Sequence, residues 1–445
     1  MPNLPTDRRD FVRTASLLAA VGPVVAACST AARPTPAQSV PAPAPLPPAG
    51  RPMGRINVGI VGYGKRGSEL LDAFMDHPGV EVVSVAEVVD ARRDACIRRV
   101  NAKRKRTVCS AARSWRELVS DPSIDAVVVA TPDHWHAEPS IAACLAGKHV
   151  YCEKPLSLTL AEGRAIAAAA RATGVTFQVG SQQRSEFNHM FATAAEAVRN
   201  GRLGTVKRVL AGVGPMAKPC DLPEEPLPPG IDWEAWLGQA PWRGFHHELC
   251  PIGMHGHYPA WRNYSEYANG GLADFGAHHF DIAQWALGMD LSGPVKVTPP
   301  ADGARTGLVF TYASGIELVH GGPTDCTFIG TEGTIEVSRG HLKAYKGEDR
   351  RADPAMELLR PPGPGEVRLP RNRSHVHDFL TAIVDGHEPI CTAETGHRTA
   401  TLCHLAVIGY TIGQPLGWDP DREEFTGPFA DRANALRGRA VRPHA

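Results

Sequence analysis

The sequence predicts an α/β protein of two domains: an N-terminal doubly wound parallel sheet, then an α+β domain carrying a large, mostly antiparallel open sheet. Three observations predict it. An apolar strand runs straight into Gly62-Tyr63-Gly64-Lys65-Arg66-Gly67 and a helical pattern. Strand and helix patterns then alternate to about residue 180, as βαβ units do. Beyond residue 307, short alternating strands follow one another without helices between them.

Residues 1–28 read as an export signal. Arg8-Arg9-Asp10-Phe11-Val12-Arg13 is a twin-arginine element, residues 15–27 are apolar or small, and Val25-Ala26-Ala27-Cys28 resembles a lipobox. Thirteen such residues fall short of the ~20 that span a bilayer. The expectation is twin-arginine export to the periplasm, with Cys28 acylated as the first residue of a lipoprotein and this anchor as the only membrane contact. An ordinary signal ending at Cys28, or a start codon placed too early, are the alternatives. Residues 29–54 are rich in Pro and Ala and read as a stiff tether.

The roughly 390 residues that follow suit two domains with a sizeable interior. With 47 basic and 47 acidic side chains the net charge is zero, so nothing favours the counterion release that drives nucleic-acid binding. Apart from Cys28, the ten cysteines are scattered without paired spacing and read as small buried hydrophobes.

In the first domain, expected over residues 55–180, strand 56–61 leads into the glycine turn. Gly62 permits the tight turn, Gly64 lets the backbone approach a pyrophosphate, and Gly67 lets the helix lie against the strand with its N-terminus facing the anion. Strand 80–86 ends at Glu87, 20 residues beyond Gly67, where a carboxylate accepts hydrogen bonds from the adenosine ribose and repels a 2'-phosphate. This is the Rossmann pattern, and it favours NAD over NADP, although Arg92 and Arg93 lie close enough to weaken the preference. Next come a strand at 106–109, a helix at 115–119, and a strand at 126–130 leading to Thr131-Pro132-Asp133-His134-Trp135-His136. Helix 137–146, strand 149–152 and Glu153-Lys154-Pro155 complete the series.

The second domain, expected over residues 181–425, opens with a strand at 206–213 and a Pro-rich loop at 221–230. Trp233, Trp236, Trp242 and Trp261 could stack on a sugar face or serve as core. The chemistry centres on Asp274-Phe275-Gly276-Ala277-His278-His279-Phe280-Asp281, which enters a helix running through Trp285. Asp274 and His278, four apart, share one helix face, and imidazole titrates where a hydroxyl proton must be removed. An N-cap role for Asp274 is the bland alternative. His246, His247, Cys250, His255 and His257 are metal-ligand types, but their spacing matches no closed structural site and no metal is expected. Helices at 374–385 and 394–412 are expected to pack back on the first domain, and the tail 426–445 reads as an oligomer arm.

The glycine turn, Thr131-Pro132-Asp133-His134-Trp135-His136-Ala137, Glu153-Lys154-Pro155 and Gly180-Ser181-Gln182-Gln183-Arg184 together resemble the glucose-fructose oxidoreductase, inositol dehydrogenase and MocA family over residues 55–425. The resemblance implies Lys154, Asp274 and His278 as catalytic residues: a cation for the developing alkoxide, a substrate orienter and a general base. It implies cofactor contacts from Gly62, Tyr63, Gly64, Lys65, Arg66 and Gly67. Glu87, Thr131, Pro132, Asp133, His136, Glu153 and Lys154 complete that set. Gln182, Arg184, Trp242, Arg262 and His279 are the expected substrate contacts. It further implies a sugar or polyol substrate, and a homodimer or homotetramer formed through the outer face of the open sheet. Because a periplasmic enzyme meets no pool of free NAD, the expected oxidoreductase keeps its nicotinamide bound. The alternatives are an NAD-dependent glycosidase, with a second base from His279 or the histidines at 246–257, and a ligand sensor without turnover.

Overall fold

The computed structural model describes residues 54–349 and 353–444. The expected export signal, with Cys28, and residues 29–53 lie outside the described residues.

The Val- and Ile-rich segments β1 (Ile56–Val61), β2 (Val80–Ala86), β3 (Ser110–Ala111), β4 (Ala126–Val129), β5 (His149–Cys152) and β6 (Phe177–Val179) form one parallel sheet in the order 3-2-1-4-5-6. Helices α1 (Lys65–Met75), α2 (Asp90–Arg104), α3 (Trp115–Ser120), α4 (Ala137–Leu145) and α5 (Leu160–Thr173) alternate with these strands. Apart from the exposed two-residue edge strand β3, strands this apolar belong inside such a sandwich, where both faces are covered. The strand order reverses between β1 and β4, which opens a crevice at their carboxyl ends. The edge strand β3 lies at 110–111 and not at the expected 106–109. Asn101 accounts for the shift: its side-chain oxygen accepts the backbone N–H groups of Val108 and Cys109, which holds that stretch in a loop.

Helix α6 (Met190–Arg199) leads into β7 (Val206–Ala211), the short α7 (Trp233–Leu237) and the long α8 (Gly270–Leu287). The second sheet adds β8 (Lys296–Thr298), β9 (Val309–Thr311), β10 (Glu317–His320), β11 (Cys326–Gly330), β12 (Gly333–Val337) and β13 (Leu342–Lys346). After α9 (His375–Asp385) and α10 (Ala393–Ile412), β14 (Leu416–Asp419) and β15 (Glu424–Thr426) complete nine strands in the order 13-12-11-7-10-9-8-14-15. Only β7 and β10 pair in parallel. One face of the sheet buries Phe310, Leu318, Phe328 and Ile335 against α6, α8 and α10. Helix α9 packs Val376, Phe379 and Leu380 on the parallel sheet, and α10 lies along α5, so both do return to the first domain.

The C-terminal tail is not a free arm. After α11 (Ala430–Asn434) the chain crosses back over its own first domain. The Ala161 N–H donates to the Arg437 carbonyl (2.9 Å), Arg439 donates to Glu162 (3.0 Å), and His444 lies 3.2 Å from Glu138. The nine described cysteines are all unpaired, and eight are buried. No described helix is long and apolar enough to cross a membrane.

Candidate active site

A cavity of about 1150 Å³ runs from the crevice at β1 and β4 to the amino-terminal half of α8. Its nucleotide end is built by the glycine turn. Gly62 adopts φ +87°, where an added Cβ would also meet the Ala130 carbonyl at 2.9 Å. At Gly64 a Cβ would meet no protein atom within 4 Å, so the missing side chain leaves open space above the start of α1. The N-terminal N–H groups of α1 and their partial positive charge face that space, as a pyrophosphate requires. Glu87 closes this end. Its two carboxylate oxygens accept the N–H groups of Tyr63 (2.6 Å) and Val89 (2.9 Å), which fixes the carboxylate on the cavity wall.

Lys65, Arg66, Thr131, Pro132, Asp133, Glu153 and Lys154 line the same cavity. The buried Thr131 hydroxyl has no partner among the described residues, consistent with an acceptor or donor on a bound group. Open space at Gly64, an anchored ribose-side carboxylate and an orphaned hydroxyl beside the turn together fit a dinucleotide. Three expected cofactor residues do not line the cavity. The Tyr63 ring is buried in the apolar layer of the parallel sheet and offers only its backbone. Gly67 lies off the cavity, and a Cβ there would stand 2.4 Å from the Gly62 carbonyl, so it serves helix packing. His136 is buried with its ring nitrogens 2.7 and 3.1 Å from the Pro155 and Thr131 carbonyl oxygens, bracing the wall from behind.

At the other end Lys154, just beyond β5, meets α8. Its Nζ donates to the Asp274 carboxylate (2.5 Å) and to the Asp274 main-chain carbonyl (3.0 Å). Because α8 begins at Gly270, Asp274 lies inside the helix and is not its N-cap. Burial alone would raise the Asp274 carboxyl, but the Lys154 and Arg262 cations outweigh it and hold it below its usual range. His278 stands one turn on, buried, with Nδ1 unpartnered among the described residues. Burial, reinforced by the Lys154 and Arg339 cations, drives its pKa well below 6.5, so the imidazole is neutral at physiological pH.

Gln182 also lines the cavity, donating to Tyr151 (3.1 Å) and Glu153 (2.9 Å). Arg262 lines it too, with its Nη1 buried and unpartnered. The other expected substrate contacts are elsewhere. Arg184 is 2% exposed and bonds Asp281 at 2.7 and 2.8 Å, a buried ion pair in the protein interior. Trp242 is 62% exposed, outside the cavity and under the Arg442 guanidinium. His279 points from the opposite side of α8 into the second sheet, with Nδ1 2.7 Å from the Gly212 carbonyl and Nε2 3.5 Å from Asp325. Adjacent helix positions differ by about 100° in direction, and here that step takes His279 off the cavity wall that His278 lines. Of the four tryptophans, Trp236 and Trp261 line the cavity.

Among the described residues the histidine-rich segment yields one group with metal-ligand atoms close together: Glu225, His246 and His247, within 4.8 Å. His246 is poorly suited to a metal. Its Nδ1 accepts the Glu248 N–H (3.1 Å), so Nε2 carries the proton and faces Glu225 at 3.4 Å. The sequence reading missed Arg339, Phe275 and Phe187, all of which line the chemical end. Phe275 adjoins Asp274 in the motif and was legible there. Arg339 sits in the turn between β12 and β13, and nothing local marks it.

A nucleotide crevice at a strand-order reversal, joined to a Lys-Asp-His cluster on the same cavity wall, defines the nicotinamide-dependent oxidoreductase class. Within that class, residues 56–181 match the model of an oxidoreductase family described as an NAD-binding Rossmann fold, and residues 216–444 match the same family's C-terminal α/β domain. The chain belongs to the Gfo/Idh/MocA oxidoreductase family. It is 26% identical to the 1,5-anhydro-D-fructose reductase of Ensifer adhaerens over 76% of this chain and 91% of that protein. It is 30% identical to the myo-inositol 2-dehydrogenase of Thermotoga maritima, over 40% of this chain and 48% of that one. Solved structures of levoglucosan dehydrogenase with NADH and L-sorbose (TM-score 0.56, 21% identity, 82% of this chain and 99% of that chain) and of Caulobacter crescentus aldose-aldose oxidoreductase (0.55, 18%, 82% and 99%) share the fold.

Proposed function

We propose that this protein oxidises, and in reverse re-forms, a secondary hydroxyl of a sugar or polyol by hydride transfer with bound NAD. The observation that carries the reading is the convergence of Lys154, Asp274 and His278 at the end of the nucleotide crevice. Bound nicotinamide supplies the hydride acceptor. The protein supplies the rest. His278, uncharged, takes the hydroxyl proton as the C–H hydrogen leaves with its electron pair. The Lys154 ammonium offsets negative charge growing on the substrate oxygen, and Asp274 fixes that ammonium while accepting a hydrogen bond from a neighbouring hydroxyl. Burial excludes water and strengthens each of these interactions.

The names of two relatives, a myo-inositol dehydrogenase and a 1,5-anhydro-D-fructose reductase, support a cyclic polyol or sugar substrate. The anchored Glu87 favours NAD. The twin-arginine element supports export as a folded lipoprotein, and hence a nicotinamide retained between turnovers and recharged by a second sugar or keto product. His444, which reaches the cavity wall from the folded-back tail, favours retention. A homo-oligomer formed through the outer face of the nine-stranded sheet completes the proposal. The glycosidase alternative loses His279, which turns away from the cavity, and keeps His255, which lines it.

The protein purified without added nucleotide should show a stoichiometric nucleotide absorbance. Adding one member of a panel of monosaccharides and polyols should then produce the 340 nm band of NADH. Loss of nucleotide on purification, together with weak rebinding of NAD, would overturn the retained-cofactor reading.

A further inference from the structure

Two guanidinium groups at the chemical end of the cavity, Arg262 and Arg339, lack the close ion pairs made by the other cations there. Lys65 and Arg66 pair with Glu69 and Glu153 at 2.8–3.0 Å, and Lys154 pairs with Asp274. Arg262 comes no nearer to a carboxylate than 3.9 Å, at Asp274, and its Nη1 is buried without a partner among the described residues. Arg339 makes no side-chain ion pair among the described residues. Of the two remaining carboxyls on the wall, burial raises Asp133 to about 8, and burial raises Glu186 against the pull of Arg66 and Arg339.

These cations are built in. The Arg339 guanidinium lies 5.1 Å from the Phe187 ring and 5.8 Å from the Phe275 ring. With its amide turned so that both bonds form, Gln183 donates to the His278 carbonyl (3.3 Å) and accepts from Arg339 Nε (3.2 Å). Phe187 opens a run of three left-handed residues, with φ of 57°, 52° and 56° at Phe187, Asn188 and His189. Each such non-glycine residue costs on the order of 1 kcal/mol, and the run places an aromatic ring beside Arg339 on the cavity wall. Arg262 is likewise stacked, 4.1 Å from the Trp261 ring and 4.8 Å from the Tyr258 ring. Stacking fixes the plane of a guanidinium and leaves its N–H edge for a planar, forked acceptor.

Resting on the sugar oxidoreductase reading, we propose that the substrate is an acidic sugar whose carboxylate is held by Arg262 and Arg339, making these the specificity-determining residues. A neutral aldose would leave the buried Arg262 Nη1 without an anionic acceptor and the N–H edge of the cavity-lining Arg339 unused. A carboxylate neutralises them while its neighbouring hydroxyl lies against Lys154 and His278.

The test compares D-glucuronate, D-galacturonate and D-gluconate with D-glucose, D-galactose and the neutral isostere D-glucuronamide, using full-length protein loaded with NAD. Calorimetric binding and NADH formation are both read. At least one acid should bind roughly tenfold or more tighter than its neutral counterpart, the scale of a charge-assisted pair. Its affinity should weaken with salt, and Arg339→Met and Arg262→Met should each collapse the acid-to-neutral ratio towards one. Retained NAD binding and an unchanged unfolding temperature would show that the variants fold. Equal or better handling of the neutral sugars overturns the acidic-sugar inference and leaves the oxidoreductase reading standing. Absence of hydride transfer from every sugar, acidic or neutral, overturns the oxidoreductase reading itself.

Discussion

Lys154 Nζ bonds both the carboxylate and the main-chain carbonyl of Asp274, at 2.5 and 3.0 Å, and so fastens the end of a parallel-sheet strand to a helix of the other domain. The two bonds set where the ammonium stands relative to the nucleotide crevice. Lys154→Met should lower kcat by about 10²–10³-fold, the usual loss when a charge-stabilising donor is removed. NAD binding, measured by fluorescence titration, should be nearly unchanged. A variant with near-full turnover would remove Lys154 from the mechanism.

The pH profile reports on His278. The working base is the neutral imidazole, and burial with the nearby Lys154 and Arg339 cations pushes its pKa well below 6.5. The neutral form therefore persists as pH falls through 6.5. The acid limb of kcat/KM for oxidation is expected below pH 6.5, and His278→Gln should cost about 10²–10⁴-fold in rate. A limb centred above 6.5 that survives in His278→Gln would assign the base elsewhere.

Gly64 and Gly67 separate binding from folding. At Gly64 the backbone, φ −84° and ψ −157°, suits any residue, and a side chain would enter only the cavity. Gly64→Val should weaken NAD binding at least about tenfold, or ~1.4 kcal/mol, with the unfolding temperature maintained. Gly67→Ala would press on the Gly62 carbonyl and should lower stability by about 1–3 kcal/mol. Denaturant titration beside NAD titration distinguishes the two.

Asp133 gives a stability signature. Burial raises its carboxyl from 3.8 to about 8, against the pull of Arg262 and Lys154. Between those values the folded state holds a proton that the unfolded state has released. Its stabilising contribution is full below pH 3.8 and is lost as pH rises towards 8, by up to roughly 1.4 kcal/mol per pH unit. Asp133→Asn lacks this slope, so its stability relative to wild type should rise from pH 5 to pH 7. Parallel pH profiles for the two proteins would show that Asp133 is ionised in the fold.

Arg184 should behave as a structural residue. Removing it strands Asp281 in the interior, and Arg184→Met is expected to cost roughly 3–5 kcal/mol. A variant that keeps its stability but loses substrate affinity would restore the sequence-based assignment of Arg184 to the substrate.

The parallel half was legible because its signals are local: β1, β2 and β5 fall on the expected residues, and the glycine turn forecast the open space at Gly64. The helix periodicity of 374–385 and 394–412 was equally plain. The β3 boundary was lost to a single side-chain bond from Asn101, which propensity does not record.

What the sequence by itself determined was the fold class, the nucleotide crevice and the shared helix face of Asp274 and His278, since each rests on spacing within one strand, turn or helix; Lys154 joined them only through the family resemblance. Tertiary structure alone decided which polar residues face the cavity. His278 and His279 are neighbours in sequence, yet one points at the cavity and the other into a sheet, because helix geometry turns consecutive side chains apart. Arg184, Arg262 and Arg339 look alike along the chain. One is spent on a buried ion pair while two line the cavity beside the catalytic helix, because a side chain's partners are settled by neighbours through space and not by neighbours in sequence.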